Sequence, residues 1–206
     1  MSSAFIFHPA LILIAGALLL PFLRGTARNT AVLAAPTLAL IALWLLPEGK
    51  LWQVQWLDYS LAPLAVDKLS RLFATIFLLM AATGGLFALR QTSKLEVPAA
   101  FLYAGSAVGV ALAGDLVTVF LFWEFMAVGS TLVIWSTGTP TAWAASRRYV
   151  AVHLAGGVIL FAGIAGQIAT TGDASFHAMK ADSLATWLIL IGFLVNTGAP
   201  PLSAWL

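Results

Sequence analysis

Long apolar blocks alternate with short polar stretches along the whole chain, and the blocks are longer than any ordinary strand. A helix that crosses the hydrocarbon core of a bilayer needs roughly 20 mostly apolar residues. By that measure the pattern predicts about seven transmembrane helices, over residues 4–23, 30–46, 69–89, 98–113, 116–135, 149–170 and 184–196 onward. The fourth block is short and the seventh is interrupted. No Lys or Arg precedes Arg24. A secretory leader begins with positive charge, so the first block is expected to be a mature helix. The loop 47–67 holds Trp52, Trp56 and Tyr59, which suit the headgroup level of a membrane. Partial alternation over 51–57 also allows a short hairpin there. No soluble domain, linker or low-complexity tract interrupts the pattern.

Composition supports the membrane class. Of 206 residues, 61% are hydrophobic and only 9% are charged, against about 25% charged in a soluble domain. Too few charges remain to cover a water-facing surface. The net charge of +2 is small and the basic residues are scattered, so the basic stripe that nucleic-acid binding needs is missing. The chain has no Cys, which excludes thiolate metal sites and Cys-ligated iron–sulfur clusters within it. His8, His153 and His177 lack metal-ligand spacing, and no cofactor is expected. No phosphate-binding loop or nucleophile–base set is evident, so any enzyme role is at most that of a non-redox membrane subunit.

Orientation follows from Lys and Arg in the short loops. Arg24, Arg28, Arg90, Lys94, Arg147 and Arg148 fall on one side. Lys50, Lys68, Arg71 and Lys180 fall on the other, together with most of the acids. The first side is expected to be cytoplasmic, which puts the N-terminus outside a multi-pass cell (inner) membrane protein.

Few residues in the blocks can carry chemistry. Glu124 sits near the middle of 116–135. An ionised carboxylate at a helix centre costs roughly 3 kcal/mol or more, so it should face protein or water. A carboxyl that gains and loses a proton there is what a proton path requires; interhelical hydrogen bonding is the plainer role. His153 titrates near neutrality and could relay protons toward the basic side, or simply pack. Arg147 and Arg148 could be snorkelling topology anchors; an Arg paired with Glu124 would instead form a switchable ion bridge. Asp115 opens the Glu124 helix and suits its dipole. Asp67, Lys68 and Arg71 cluster at the start of the third helix. In the seventh block Gly198, Pro200 and Pro201 should interrupt the helix, and broken helices are tolerated where they line a cavity or are buried in protein. Gly105 and Gly109 have the spacing that lets helices approach closely.

The run from Asp115 through Trp123-Glu124 to Trp135 resembles the fifth helix of the antiporter-like subunits. These occur in Mrp-type multisubunit Na+/H+ antiporters, respiratory complex I and membrane-bound hydrogenases. Ala145-Ser-Arg147-Arg148-Tyr149 is similar to the start of their sixth helix. Gly192-Phe-Leu-Val-Asn196 through Pro201-Leu-Ser-Ala-Trp205-Leu206 is similar to their broken seventh. The nearest flavour is the D-type subunit of the Mrp antiporter. The resemblance implies a functional carboxylate at Glu124 and a basic partner at Arg148. It also implies a Lys where this chain has Asn196 and a His where it has Ser203. Asn cannot hold a proton for transfer, so the usual Lys relay has no counterpart at this position, and His153 is the candidate to substitute in part. Family members have about fourteen helices in two inverted repeats. Only the first half is matched here, with residues 1–97 as N-terminal helices 1–3 and 98–206 as a partial first repeat. Half of a split subunit, a fragment or a remnant would each fit.

The resulting expectation is a proton or Na+/H+ translocating subunit that works with other membrane subunits of a hetero-oligomeric complex. Glu124, Arg148, His153 and Asn196 would form the ion-translocation set, and Gly198, Pro200 and Pro201 the break. The alternatives are a degenerate scaffold subunit without transport, or a membrane-arm subunit of an NADH- or hydrogenase-linked pump.

Overall fold

The computed structural model describes residues 7–91 and 93–200. Seven helices appear among them: α1 (Pro9–Leu19), α2 (Gly25–Leu45), α3 (Lys68–Phe87), α4 (Glu96–Leu112), α5 (Leu116–Ser136), α6 (Pro140–Thr171) and α7 (Leu184–Asn196). Four helical spans are long and apolar enough to cross a membrane: 25–45, 68–90, 116–136 and 140–171. The apolar helices Pro9–Phe22, Glu96–Leu112 and Leu184–Asn196 are shorter. The all-α expectation gains one addition, an antiparallel hairpin of β1 (Gly49–Trp56) and β2 (Tyr59–Val66) in the loop between α2 and α3. Leu57 turns the hairpin with φ of 52°.

The main departure from the pattern lies at α6. Apolarity alone starts this helix at Tyr149, whereas it begins at Pro140, with Thr139 accepting from the Ala142 N–H as its cap. Pro suits a first helical position because its missing N–H would have no partner there. The extra turns are polar enough to escape a hydropathy reading. Arg147 and Arg148 therefore lie inside the helix, and His153 lies well into it rather than one turn from its start. At 32 residues the helix is about 48 Å long, more than the hydrocarbon core requires.

The N-terminal helices share one core. Leu13, Leu43, Leu64, Leu78 and Leu112 are fully buried in a cluster drawn from α1–α4 and the hairpin. Gly105 lets α4 approach the α1 backbone at Ala10, and Gly109 faces the ring of Phe122 on α5, so the small-residue stripe is packing, as its spacing suggested. Asp67 caps α3 in a reciprocal capping box with Ser70, and that hydrogen bonding holds its carboxyl below the usual range. Arg71 donates to the Leu46 carbonyl at 2.7 Å and lies over the Trp44 ring.

One end of the molecule is tied together by Asp115. Its carboxylate accepts from the backbone N–H and the hydroxyl of Thr118 and from the Ala62 N–H of β2, at 2.7–2.8 Å. Gly114 N–H donates to Ala62 and Leu116 N–H to Ala174. The acid that sequence assigned to the helix dipole is thus the N-cap of α5 and also the joint between hairpin, α4–α5 turn and α6–α7 loop. His8 adds a second tie. Its Nδ1 accepts from Ala10 N–H, so Nε2 carries the proton and donates to the Pro63 carbonyl at 3.1 Å. These loops share one end, as strict alternation of spans requires.

Candidate functional site

The site is built where α5, α6 and α7 meet. α5 and α6 run antiparallel, and their contacts descend in order: Phe120 on Phe161, Glu124 on Gly157, Ser130 on Tyr149, Trp135 on Trp143. α6 and α7 are also antiparallel, through Gly156 on Asn196, Gly192 on Leu160 and Gly163 on Ile189. Glycine sets the closeness of that second pair, because Gly163 faces the α7 backbone and Gly192 faces the α6 backbone. Trp123 of α5 meets Phe193 of α7 edge-on at 5.3 Å, which closes the third side.

Glu124 is half-buried, and its carboxylate lies against α6 at Gly157. It therefore faces protein, as an acid at this depth should. It makes no hydrogen bond or ion pair with another described residue. Asn196 is the last residue of α7, 5% exposed, with its carboxamide oxygen against Gly156. Neither amide atom has a partner among the described residues. His153 is also 5% exposed. It lies three and four residues before these glycines, on the same face of α6. One turn further along, Tyr149 packs its ring on His153 at 4.2 Å and shares a 2.6 Å hydrogen bond with Ser130 of α5.

The buried stripe of α6 thus changes character along its length. Ser146 and His153, with the half-buried Tyr149 beside them, make its first half polar, whereas Leu160 and Ile164 join Leu116 and Ile189 in an apolar cluster beyond the glycines. Polarity returns at Gln167, which hydrogen-bonds His177 at 3.2 Å. Around them Thr170, Lys180, Asp182 and Thr186 line a polar cavity of about 310 Å³. Nearby, Asp173 accepts from the Ser175 hydroxyl and N–H, which keeps its carboxyl below the usual range.

Of the residues singled out by sequence, the structure gathers Glu124, His153 and Asn196 around one stretch of α6. Arg148 stays apart: it is exposed and forms no ion pair with a described residue. Five residues separate it from His153, about 140° around the helix. α7 ends in a Schellman-type turn. Gly198 is left-handed at φ 68°, its N–H donates to Val195, and Ala199 N–H donates to Leu194. The helix therefore stops at Asn196 as expected, with Pro200 just beyond. Pro201, Ser203 and Trp205 lie outside the described residues, and with them any resumption of the helix. Sequence reasoning overlooked Gly156, Gly157, Tyr149 and Ser130. The glycine doublet inside an apolar helix was the available signal.

Residues 113–206 match the protein family described as NADH:quinone oxidoreductase/Mrp antiporter, TM. The D-type subunit of the Na(+)/H(+) antiporter of Alkalihalophilus pseudofirmus is 27% identical over 164 residues, covering 70% of this chain and 33% of that protein. The chain thus spans about a third of that curated relative's length. The fold is that of a chain in the Mrp complex from Dietzia sp. DQ12-45-1b, with TM-score 0.79 and 23% identity over 96% of this chain and 24% of that one. It is equally that of a chain in the membrane-bound sulfane sulfur reductase, an archaeal respiratory membrane complex, at TM-score 0.79 and 19% identity over 97% and 47%. A chain of respiratory complex I from Thermus thermophilus with bound NADH gives TM-score 0.76 and 23% identity over 96% and 45%. The resemblance to antiporter-like membrane subunits holds for the part of those subunits that this chain spans.

Proposed function

We propose that this chain is a proton or Na+/H+ translocating subunit of a multisubunit complex in the cell (inner) membrane, with its N-terminus outside. Glu124 is the protonatable group at its centre. The observation that carries this reading is a carboxylate near mid-helix, turned onto a neighbouring helix at a glycine, with no cation beside it among the described residues. Such a group is stable at that depth only neutral or hydrated. A proton reaching it gives it the neutral form, and water beside it supports the ionised one. His153 and Tyr149 offer a route from the Arg147–Arg148 end, because their rings pack together along the polar half of α6. α7 ends at Asn196, which meets α6 one residue from where the acid does, and the negative end of its helix dipole favours a passing cation. Arg148, exposed and without an ion pair among the described residues, acts from the interface as a topology anchor. The partners would be other membrane subunits, because the chains of like fold belong to multisubunit complexes.

The test is Glu124→Gln in the assembled complex, reconstituted in vesicles. Loss of coupled cation/proton exchange with intact assembly is the expected result. Exchange at the unmodified rate would overturn the reading.

A second reading, a scaffold subunit without transport, is favoured by Asn196, which stands where the resembled subunits carry a titratable Lys. It predicts that Glu124→Gln is silent while variants at the Asp115 joint disrupt assembly.

A further inference from the structure

Two glycines differ from the rest in what an added methyl would meet. Gly105, Gly129, Gly163 and Gly192 face the backbone of a neighbouring helix, and Gly85 and Gly109 face apolar side chains. These are close-packing positions. Gly156 and Gly157 alone among the described residues have the polar head of a side chain as their nearest neighbour: the Asn196 carboxamide oxygen and the Glu124 carboxylate respectively. A methyl at either position would overlap that head. The two heads come from different helices, α5 and α7, and meet consecutive residues of a third.

We propose that Gly156 and Gly157 form a two-sided seat that positions the site: Gly157 holds the Glu124 carboxylate and Gly156 the Asn196 carboxamide, both at one level of α6 and one turn from His153. Consecutive Cα atoms are about 3.8 Å apart, so the seat fixes the height of acid and amide relative to each other. The Trp123–Phe193 contact holds α5 and α7 to the same level from the other side. Both glycines are positioning residues that act through Glu124 and Asn196. The inference rests on the transport reading above, because a seat matters only if the acid's placement does.

A size exchange tests it in the reconstituted complex. Gly157→Ala should lower exchange at least about tenfold and up to about a hundredfold, the loss that displacing a reacting group by an ångström can bring. Glu124→Asp withdraws the carboxyl by one methylene and should impair exchange too. In the double variant the shorter acid clears the methyl, so its rate should exceed that of Gly157→Ala alone. Gly163→Ala, which meets the α7 backbone at Ile189, is the packing control, and Glu124→Asp should not relieve it. If Gly157→Ala prevents assembly, yield and thermal stability of the complex report the same exchange: Glu124→Asp should restore them for Gly157→Ala and not for Gly163→Ala. Unmodified exchange in Gly157→Ala overturns the seat. So does a double variant no better than Gly157→Ala in rate or assembly. A silent Glu124→Gln would defeat the transport reading itself; its loss of exchange beside a harmless Gly157→Ala would defeat the seat alone.

Discussion

The two halves of this molecule both read as long apolar blocks in sequence yet are held together differently. α1–α4 and the hairpin interlock through large aliphatic side chains, with Leu13, Leu43, Leu64, Leu78 and Leu112 all fully buried. α5–α7 have only Leu116, Leu160, Ile164 and Ile189 as a buried apolar cluster among the described residues. There the helices meet instead through Gly156, Gly157, Gly163 and Gly192, and polar groups lie between them. In lipid the hydrophobic effect does not drive helix against helix, so packing and polar contacts decide association. Interlocked leucines give many dispersion contacts and a defined, rigid arrangement. Glycine contacts bring backbones close while leaving room for an acid, an amide and an imidazole. On the transport reading proposed above, the leucine-packed half would serve as scaffold and the glycine-packed half would hold the groups whose protonation changes.

This comparison can be broken at the leucines first. Leu43→Ala should destabilise the purified complex by about 2–5 kcal/mol, from lost contacts and the void left behind, measured by thermal unfolding in detergent. Exchange per assembled complex should remain, because Leu43 lies in the other cluster. A fall in exchange out of proportion to assembly would mean that the halves are not separable in role.

The Asp115 joint sharpens the boundary between them. Asp115→Ala leaves the buried Ala62 N–H without its acceptor, a cost of about 1–3 kcal/mol. Proteolysis should then cut the hairpin or the α6–α7 loop before the helices, and Asp115→Asn should fall between. Equal protection of both loops in the alanine variant would show that Gly114 and Leu116 carry the joint alone.

The smallest effect is expected at Gly84, in the N-terminal half but with nothing within 4 Å of an added methyl. Gly84→Ala should be neutral or stabilise by at most about 1 kcal/mol, from helix propensity. A clear loss of stability would mean that a partner helix packs against this face of α3 in the complex.

Much of this was legible in the chain itself. The seven helices, the paired ends of their loops, the stop after Asn196 and the turning of Glu124 toward protein all follow from local rules. Those rules are apolar length, turn residues and the cost of a charge in lipid, and each is read within one segment. The start of α6 is hidden from them because its first turns are polar, and hydropathy reports what touches lipid rather than what is helical. Likewise Arg148 as a partner for Glu124 came from resemblance, whereas helix phase turns it away from the face that carries His153.

What the sequence alone determined is therefore the membrane class, the order of helices and which residue types are too costly to be idle. What only the tertiary structure decided is adjacency: that Asp115 binds the hairpin, that Tyr149 reaches Ser130, and that Gly156 and Gly157 receive Asn196 and Glu124. Adjacency between helices depends on rotation and register, which hydrophobic length leaves undetermined. They are selected by close packing, one missing methyl at a time.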